Sequence, residues 1–269
     1  MKALQVALAG VFLLFAAAQV QADLDIPKWL QQPDLTMRGV DVFIPPGGMA
    51  DDFLCMDPTP ITDVHIWGSW KNDLVADPTR LGFLLAIFSD VPAVPGAPSF
   101  SHPGNVLWSH EFGAGAYQSR LYYEHSEAVE GWFDPVSGEY TPNNHKQVWQ
   151  YNFLFPEDPF LQQGTDQQPI VYWLGVLPVL QGDGPTIGVI EEFGWKTSVM
   201  HWNDDAVWNA STEPPPVIYE LQYPAGHPYA GQSIDLAFAL TTPEPATLTL
   251  LALGGAILIH RRRRPKYKP

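Results

Sequence analysis

Trp149-Gln150-Tyr151-Asn152-Phe153-Leu154-Phe155 places a bulky aromatic at every second position. A period of two puts successive side chains on opposite faces of an extended chain, so this stretch reads as a half-buried β-strand. Ile234-Asp235-Leu236-Ala237-Phe238-Ala239-Leu240 alternates in the same way. In Val64-His65-Ile66-Trp67-Gly68-Ser69-Trp70 one face carries Val64, Ile66 and Trp70, which leaves Trp67 on the other. Leu81 to Phe88 and Ile170 to Leu180 are apolar on both faces, as strands central to a sandwich are.

Further strands are expected over Val106–Phe112, Tyr117–Glu124, Thr186–Ile190 and Val217–Gln222. Asp134-Pro135-Val136-Ser137-Gly138 reads as a hairpin turn, and Asp90 to Asn105 as a long loop. The 27 Pro and 22 Gly residues fall between these runs and leave no room for long helices. Short strands with frequent turn signals predict an all-β fold, a single antiparallel β-sandwich of jelly-roll-like form. It is flanked by an N-terminal signal-peptide helix and a short C-terminal transmembrane helix.

The ends differ from the body. Lys2 precedes an apolar run from Ala3 to Ala18, and Val20-Gln21-Ala22 supplies the small residues that a signal peptidase reads, so cleavage is expected between Ala22 and Asp23. At the other end Pro243-Glu244-Pro245 is followed by 14 uncharged residues from Ala246 to Ile259, then His260 and Arg261-Arg262-Arg263-Arg264. Fourteen residues fall short of the ~20 that a permanent span prefers. The arginines would hold the end of that span on the cytoplasmic side. The expected division is 1–22 signal peptide, 23–242 β-sandwich and 243–269 sorting tail. Between Asp23 and Thr242 there are 28 acidic and 7 basic residues, a net charge of −21 that argues against nucleic acid as a partner.

A Pro-Glu-Pro, a short apolar span and an arginine cluster in that order resemble the PEP-CTERM sorting signal of bacterial exported proteins. The resemblance implies an exosortase-type membrane protease as a partner, besides signal peptidase. It also implies a membrane-anchored precursor destined for the cell surface or the exterior, in company with exopolysaccharide. Asp51-Asp52-Phe53, the run Val148 to Phe153, Phe193-Gly194-Trp195-Lys196-Thr197-Ser198 and His201 to Trp208 resemble a secreted bacterial β-sandwich family with no established activity.

The chemistry of the body is less legible. Cys55 is the only cysteine, so no intrachain disulfide forms, and a buried packing role is expected for it. No zinc spacing, nucleophile elbow, phosphate loop or dinucleotide fingerprint is present, so no catalytic residue is assigned. Asp51 and Asp52, with Asp204 and Asp205 in a Trp-rich loop, offer oxygens of the kind Ca²⁺ takes; the alternative is turn capping. Trp67, Trp195, Trp202 and Asn203 are the candidates for ligand binding, since a ring face beside polar groups can stack on a sugar; the alternative is core packing. The leading reading is a non-catalytic surface sandwich that binds a polysaccharide, a neutral one, or another envelope component. A glycan hydrolase or lyase and a surface-assembly protein stand as alternatives.

The two ends generate the first prediction. Intact mass of the protein from its native host should correspond to a chain starting at Asp23 and lacking Arg261 to Arg264. A mass that includes every residue through Pro269 would refute the tail processing.

Overall fold

The computed structural model describes residues 27–94, 100–180 and 192–242. The expected signal peptide, the sorting tail and the strand expected over Thr186–Ile190 lie outside these residues. Fifteen strands are described. They begin with β1 (Pro27–Gln31), β2 (Val40–Phe43), β3 (Met49–Cys55), β4 (Asp63–Trp70) and β5 (Leu81–Val91). Then follow β6 (His102–Phe112), β7 (Gln118–Glu124), β8 (Glu130–Asp134), β9 (Glu139–His145) and β10 (Gln147–Leu154). The last are β11 (Ile170–Leu180), β12 (Phe193–Lys196), β13 (Val207–Asn209), β14 (Ile218–Glu220) and β15 (Phe238–Thr241). Among the described residues the only regular helix is a 3-10 turn at Lys71–Asp73, and no helix is long and apolar enough to cross a membrane.

The strands form two sheets. Nine strands make the larger, in the order β1-β15-β4-β12-β2-β8-β9, with β10 and then β7 branching from β4. Six make the smaller, in the order β14-β13-β3-β11-β5-β6. All named pairs are antiparallel except β2 with β8, which run parallel. That departs from the strictly antiparallel sheet expected. It is permitted because the chain between Phe43 and Glu130 is long enough for a crossover.

β4 is the hub. One edge pairs with β10 from Asp63 to Gly68. The other is divided: β15 pairs with Asp63 to Ile66, and β12 with Gly68 to Trp70. Ala237 bridges the division, accepting at its carbonyl from Trp67 N at 3.3 Å and from Trp195 Nε1 at 2.8 Å. This explains why Ile234–Leu240 is not one regular strand. Only its last residues join β15, while Leu236 bridges Thr197 instead.

Every residue of β4 is buried. Val64, Ile66 and Trp70 face the main core between the sheets, as their alternation requires. There Phe83 of β5, fully enclosed, meets Tyr151, Phe153 and Phe193 of the opposite sheet at ring separations of 5.2–5.4 Å. Trp67 faces the other way, as expected, but not into open solvent. It packs in a second cluster with Val148, Ala237 and Ala239.

Two turns show how locally the sequence acts. The expected Asp134–Gly138 hairpin joins β8 to β9. Asp134 Oδ1 accepts from Val136 N at 2.9 Å, and Gly138 adopts φ +74°, the region glycine occupies freely. The long loop is shorter than expected, because Val91 pairs with His102 and Asp90 with Pro103. Pro103 is tolerated within β6 because that strand is at the sheet edge, where a missing N–H breaks no ladder. Cys55 closes β3, buried and unpaired with any other cysteine.

Phe83→Ala should cost about 3–5 kcal/mol in urea unfolding, as expected for emptying an aromatic site in a packed core. Leu121→Ala, on the exposed strand β7, should change stability by less than about 0.5 kcal/mol.

Candidate functional site

The outer face of the larger sheet carries a cleft of about 450 Å³. Register builds it. Gln150 of β10 lies opposite Trp67 of β4, and Arg120 of β7 lies opposite Gln150, so these three form one row across the sheet. The neighbouring row runs Ala239, His65, Asn152 and Gln118. Period two aims both rows outward. The segment Gln32 to Leu35 and the end of β1 form a wall on the far side.

The side chains are held by one another. Arg120 Nε donates to Gln150 Oε1 at 2.7 Å. His65 Nδ1 donates to Asn152 Oδ1 at 2.6 Å, while its Nε2 lies 3.1 Å from Asp63 Oδ2. Thr241 Oγ1 donates to Asp63 Oδ2 at 3.2 Å. Tyr122 stands edge-on to Trp67 with ring centroids 5.6 Å apart, and is 40% exposed where Trp67 is only 5% exposed. The accessible ring is therefore Tyr122, with Trp67 as its support. No Asp or Glu lines this cleft.

Trp67 is thus the only one of the proposed ligand-binding residues that lies in it. Trp195 is fully enclosed in the main core and offers no face to a ligand. Trp202 is half-buried elsewhere, edge-on to Trp29 at 4.9 Å. Asn203 is exposed, at φ +60°, and reaches back to Asp52. Arg120, Tyr122, Gln150 and His65 were not singled out from the sequence. The alternation of Trp149 to Phe155 already put Gln150 and Asn152 on one face, but which strands flank them is a long-range fact.

The acidic candidates converge at a different place. Asp51 and Asp52 lie within β3 rather than in a turn, and both are buried. Asp51 Oδ2 accepts from Leu236 N at 2.6 Å and its Oδ1 from Asp52 N at 2.8 Å. Asp52 Oδ2 accepts from Asn203 Nδ2 at 2.5 Å. Asp204 accepts from Ser101 Oγ at 2.5 Å, and Asp205 accepts from Ser233 Oγ. Asp235, between them, accepts from His201 Nδ1 at 2.8 Å and Trp202 N at 2.6 Å. Among the described residues no group of three or more His, Cys, Asp or Glu side chains is disposed to hold a metal ion. Oxygens of this cluster accept from backbone amides, hydroxyls, the His201 ring and the Asn203 side-chain amide, while Asp52 Oδ1 has no hydrogen-bond partner.

Burial pushes Asp52 up to about 8; the Asn203 hydrogen bond opposes the rise, and the charges of Asp235, Asp204 and Asp90 add to it. Burial likewise lifts Asp235 to about 6, against the pull of His201 and the Trp202 amide. Asp51 is held well above the carboxylate range by burial and then by Asp235 and Asp52. A carboxyl whose pKa is raised on folding stabilises the fold fully below its unfolded value of about 3.9, and that contribution is lost as pH rises through the folded value. Stability should therefore fall between about pH 4 and pH 8. Asp52→Asn should raise the urea midpoint near pH 8.5, by about 2–5 kcal/mol in free energy, and change it little near pH 4. An equal shift at both pH values would show that Asp52 is not the titrating group.

On the outer face of the smaller sheet, Ala50, Gly175 and Ala86 stand side by side on β3, β11 and β5 and floor a shallow apolar groove of about 190 Å³. Its rim includes Trp208, stacked on Tyr219 at 5.1 Å. It lacks the convergent polar groups of the first cleft.

No curated protein and no solved structure matches the chain. Residues 241–264 match the PEP-CTERM protein-sorting motif, which marks an exported, membrane-anchored precursor processed by an exosortase-type membrane enzyme. Residues 27–241, the whole of the two-sheet body, match the model of the family described as Domain of unknown function (DUF7901), and the chain belongs to that family.

Proposed function

We propose that the protein is a non-catalytic, jelly-roll-like surface sandwich that binds a neutral polysaccharide in the Tyr122–Trp67 cleft. The observation that carries this reading is the lining of that cleft. An exposed ring, a guanidinium, a side-chain amide and an imidazole converge there, with no carboxylate. A sugar presents C–H faces that pack on an aromatic ring and hydroxyls that bond to Arg120 and Gln150. A glycosidase needs two carboxyl groups about 5–10 Å apart across its substrate, and the cleft lining supplies neither. The net charge of −21 on the body disfavours acidic polymers and leaves neutral ones as the better ligand. In this reading the precursor loses residues 1–22 to signal peptidase. Residues 23–242 fold outside the membrane, and the tail 243–269 is removed by the exosortase-type enzyme, leaving the domain at the cell surface or free.

The test is a glycan array followed by titration calorimetry with the neutral polysaccharides it identifies. Tyr122→Ala and Arg120→Ala should each weaken binding by about tenfold or more, the loss expected of a central contact residue. Because Tyr122 is substantially exposed, its removal should leave the unfolding midpoint nearly unchanged. Binding that is indifferent to both substitutions would place the ligand elsewhere. An array without any neutral-glycan binding would overturn the function.

A further inference from the structure

Away from the cleft, five ionisable side chains meet where β12, β2 and β8 run side by side. Lys196, Asp41, Glu130 and His145 are fully enclosed. Lys196 Nζ lies 3.2 Å from Asp41 Oδ2 and closer still to Glu130 Oε2. His145 Nε2 donates to Asp41 Oδ2 at 2.8 Å, and His125 Nε2 donates to Glu130 Oε1 at 2.8 Å. Strand register forces the meeting. Lys196 stands directly opposite Asp41 in the β12–β2 pair, and β8 lies against the other edge of β2. The space exists because residue 39 is glycine: a Cβ there would lie 2.5 Å from Lys196 Nζ and 2.6 Å from Glu130 Oε2.

As a purely structural device this cluster is costly. One ammonium and two carboxylates are stripped of water, and apolar residues of the same volume would hold the strands as well or better. Asp41 Oδ1 makes no well-formed hydrogen bond, and the nearby Ser69 hydroxyl helps to hold the carboxyl low. What the arrangement does supply is a primary amine against a carboxyl group, in a dry cavity, with a second carboxylate in contact with the same nitrogen. We propose that Lys196 and Asp41 condense into an intramolecular amide bond, with Glu130 as the proton carrier.

The step balances without a co-reactant. Glu130 takes a proton from the Lys196 ammonium and passes it to the Asp41 carboxylate, leaving a neutral amine beside a neutral acid. Nζ then forms its bond to Asp41 Cγ. The tetrahedral adduct collapses with loss of one carboxyl oxygen as water, which carries the proton relayed through Glu130 and a second proton shed by nitrogen. His145, bonded to Oδ2, holds that oxygen in place as it leaves. Burial favours the neutral forms of both partners, while their mutual attraction, with that of Glu130 for Lys196, holds Lys196 above and Asp41 below their ordinary values. The resting cluster is thus an ion pair that reacts through internal proton transfer. The product replaces two buried charges by one amide and leaves Glu130 bonded to His125 and facing the new N–H. It also supplies an exported chain having a single cysteine with a covalent link that no disulfide can provide.

The test is peptide mapping of the full chain purified under denaturing conditions. Trypsin should fail to cleave after Lys196, and the segment 39–71 should appear joined to the peptide spanning Lys196, one water lighter than the sum of the two. Asp41→Asn removes no bulk and would release ammonia instead of water, giving the same amide, so the linked peptide keeps the same mass but lies one ammonia rather than one water below the sum of its two parts. Glu130→Gln should abolish the link and restore cleavage. Should Glu130→Gln fail to fold, the unaltered protein still decides the matter. Complete cleavage after Lys196, with its amine open to acylation once the chain is denatured, overturns the proposal.

Discussion

The structure depends on β4 being hydrogen-bonded along both edges and buried on both faces. Such a strand can have only one register, since a slip by one residue would send Trp67 into the core and Trp70 out of it. With that register set, β10 is fixed on one side and β15 and β12 on the other. At the point where β12 takes over, Gly68 lies opposite Trp195 and Gly194 opposite Ser69. A side chain at residue 68 would strike the Phe193 ring at 2.5 Å and the Gly194 carbonyl at 2.4 Å. The divided edge therefore rests on close packing around glycine, and the cleft on the outer face is assembled from strands that β4 has already placed.

Much of this fold was written in alternation. Trp149 to Phe155, Val64 to Trp70 and Leu81 to Phe88 became strands with the faces their spacing requires, and Asp134 to Gly138 became the turn. These features are local, governed by neighbours within a few residues. What alternation does not carry is pairing. Trp67 and Trp195 look equivalent in sequence, each a tryptophan beside polar residues, yet one backs a cleft and the other is enclosed. The difference lies in which strand each one meets: Gln150 and Tyr122 around the first, Phe238 and Ala237 around the second. Likewise Asp51 and Asp52 looked like surface ligands because acidic pairs normally are. Their burial follows from β3 lying between β13 and β11 in the smaller sheet, which no reading of residues 51 and 52 discloses.

The interior polar groups are gathered into two networks of opposite character. Around Asp235 the carboxyls have amide, hydroxyl and imidazole donors but, within that network, no lysine or arginine, so desolvation dominates and lifts Asp51, Asp52 and Asp235 above the ordinary carboxylate range. Around Lys196 a cation is present and the same desolvation is offset by attraction, so the acid beside it stays ionised. Each arrangement partners most of its buried polar atoms but leaves one carboxyl oxygen without a well-formed hydrogen bond, Asp52 Oδ1 in the first and Asp41 Oδ1 in the second.

Thr241, the last residue of β15, is paired with Pro27 of β1 on one side and Asp63 of β4 on the other. The first and last strands of the body are therefore neighbours, and the sorting tail departs from a strand flanked on both edges. A pull along that strand loads its two ladders in shear, so many hydrogen bonds resist together rather than opening one after another as in a peeled hairpin. A domain tethered through its C-terminus while its cleft grips a long polymer would carry tension through β15 into β4, the most deeply supported strand it has. Pairing on both edges thus suits β15 to bear load applied along the strand.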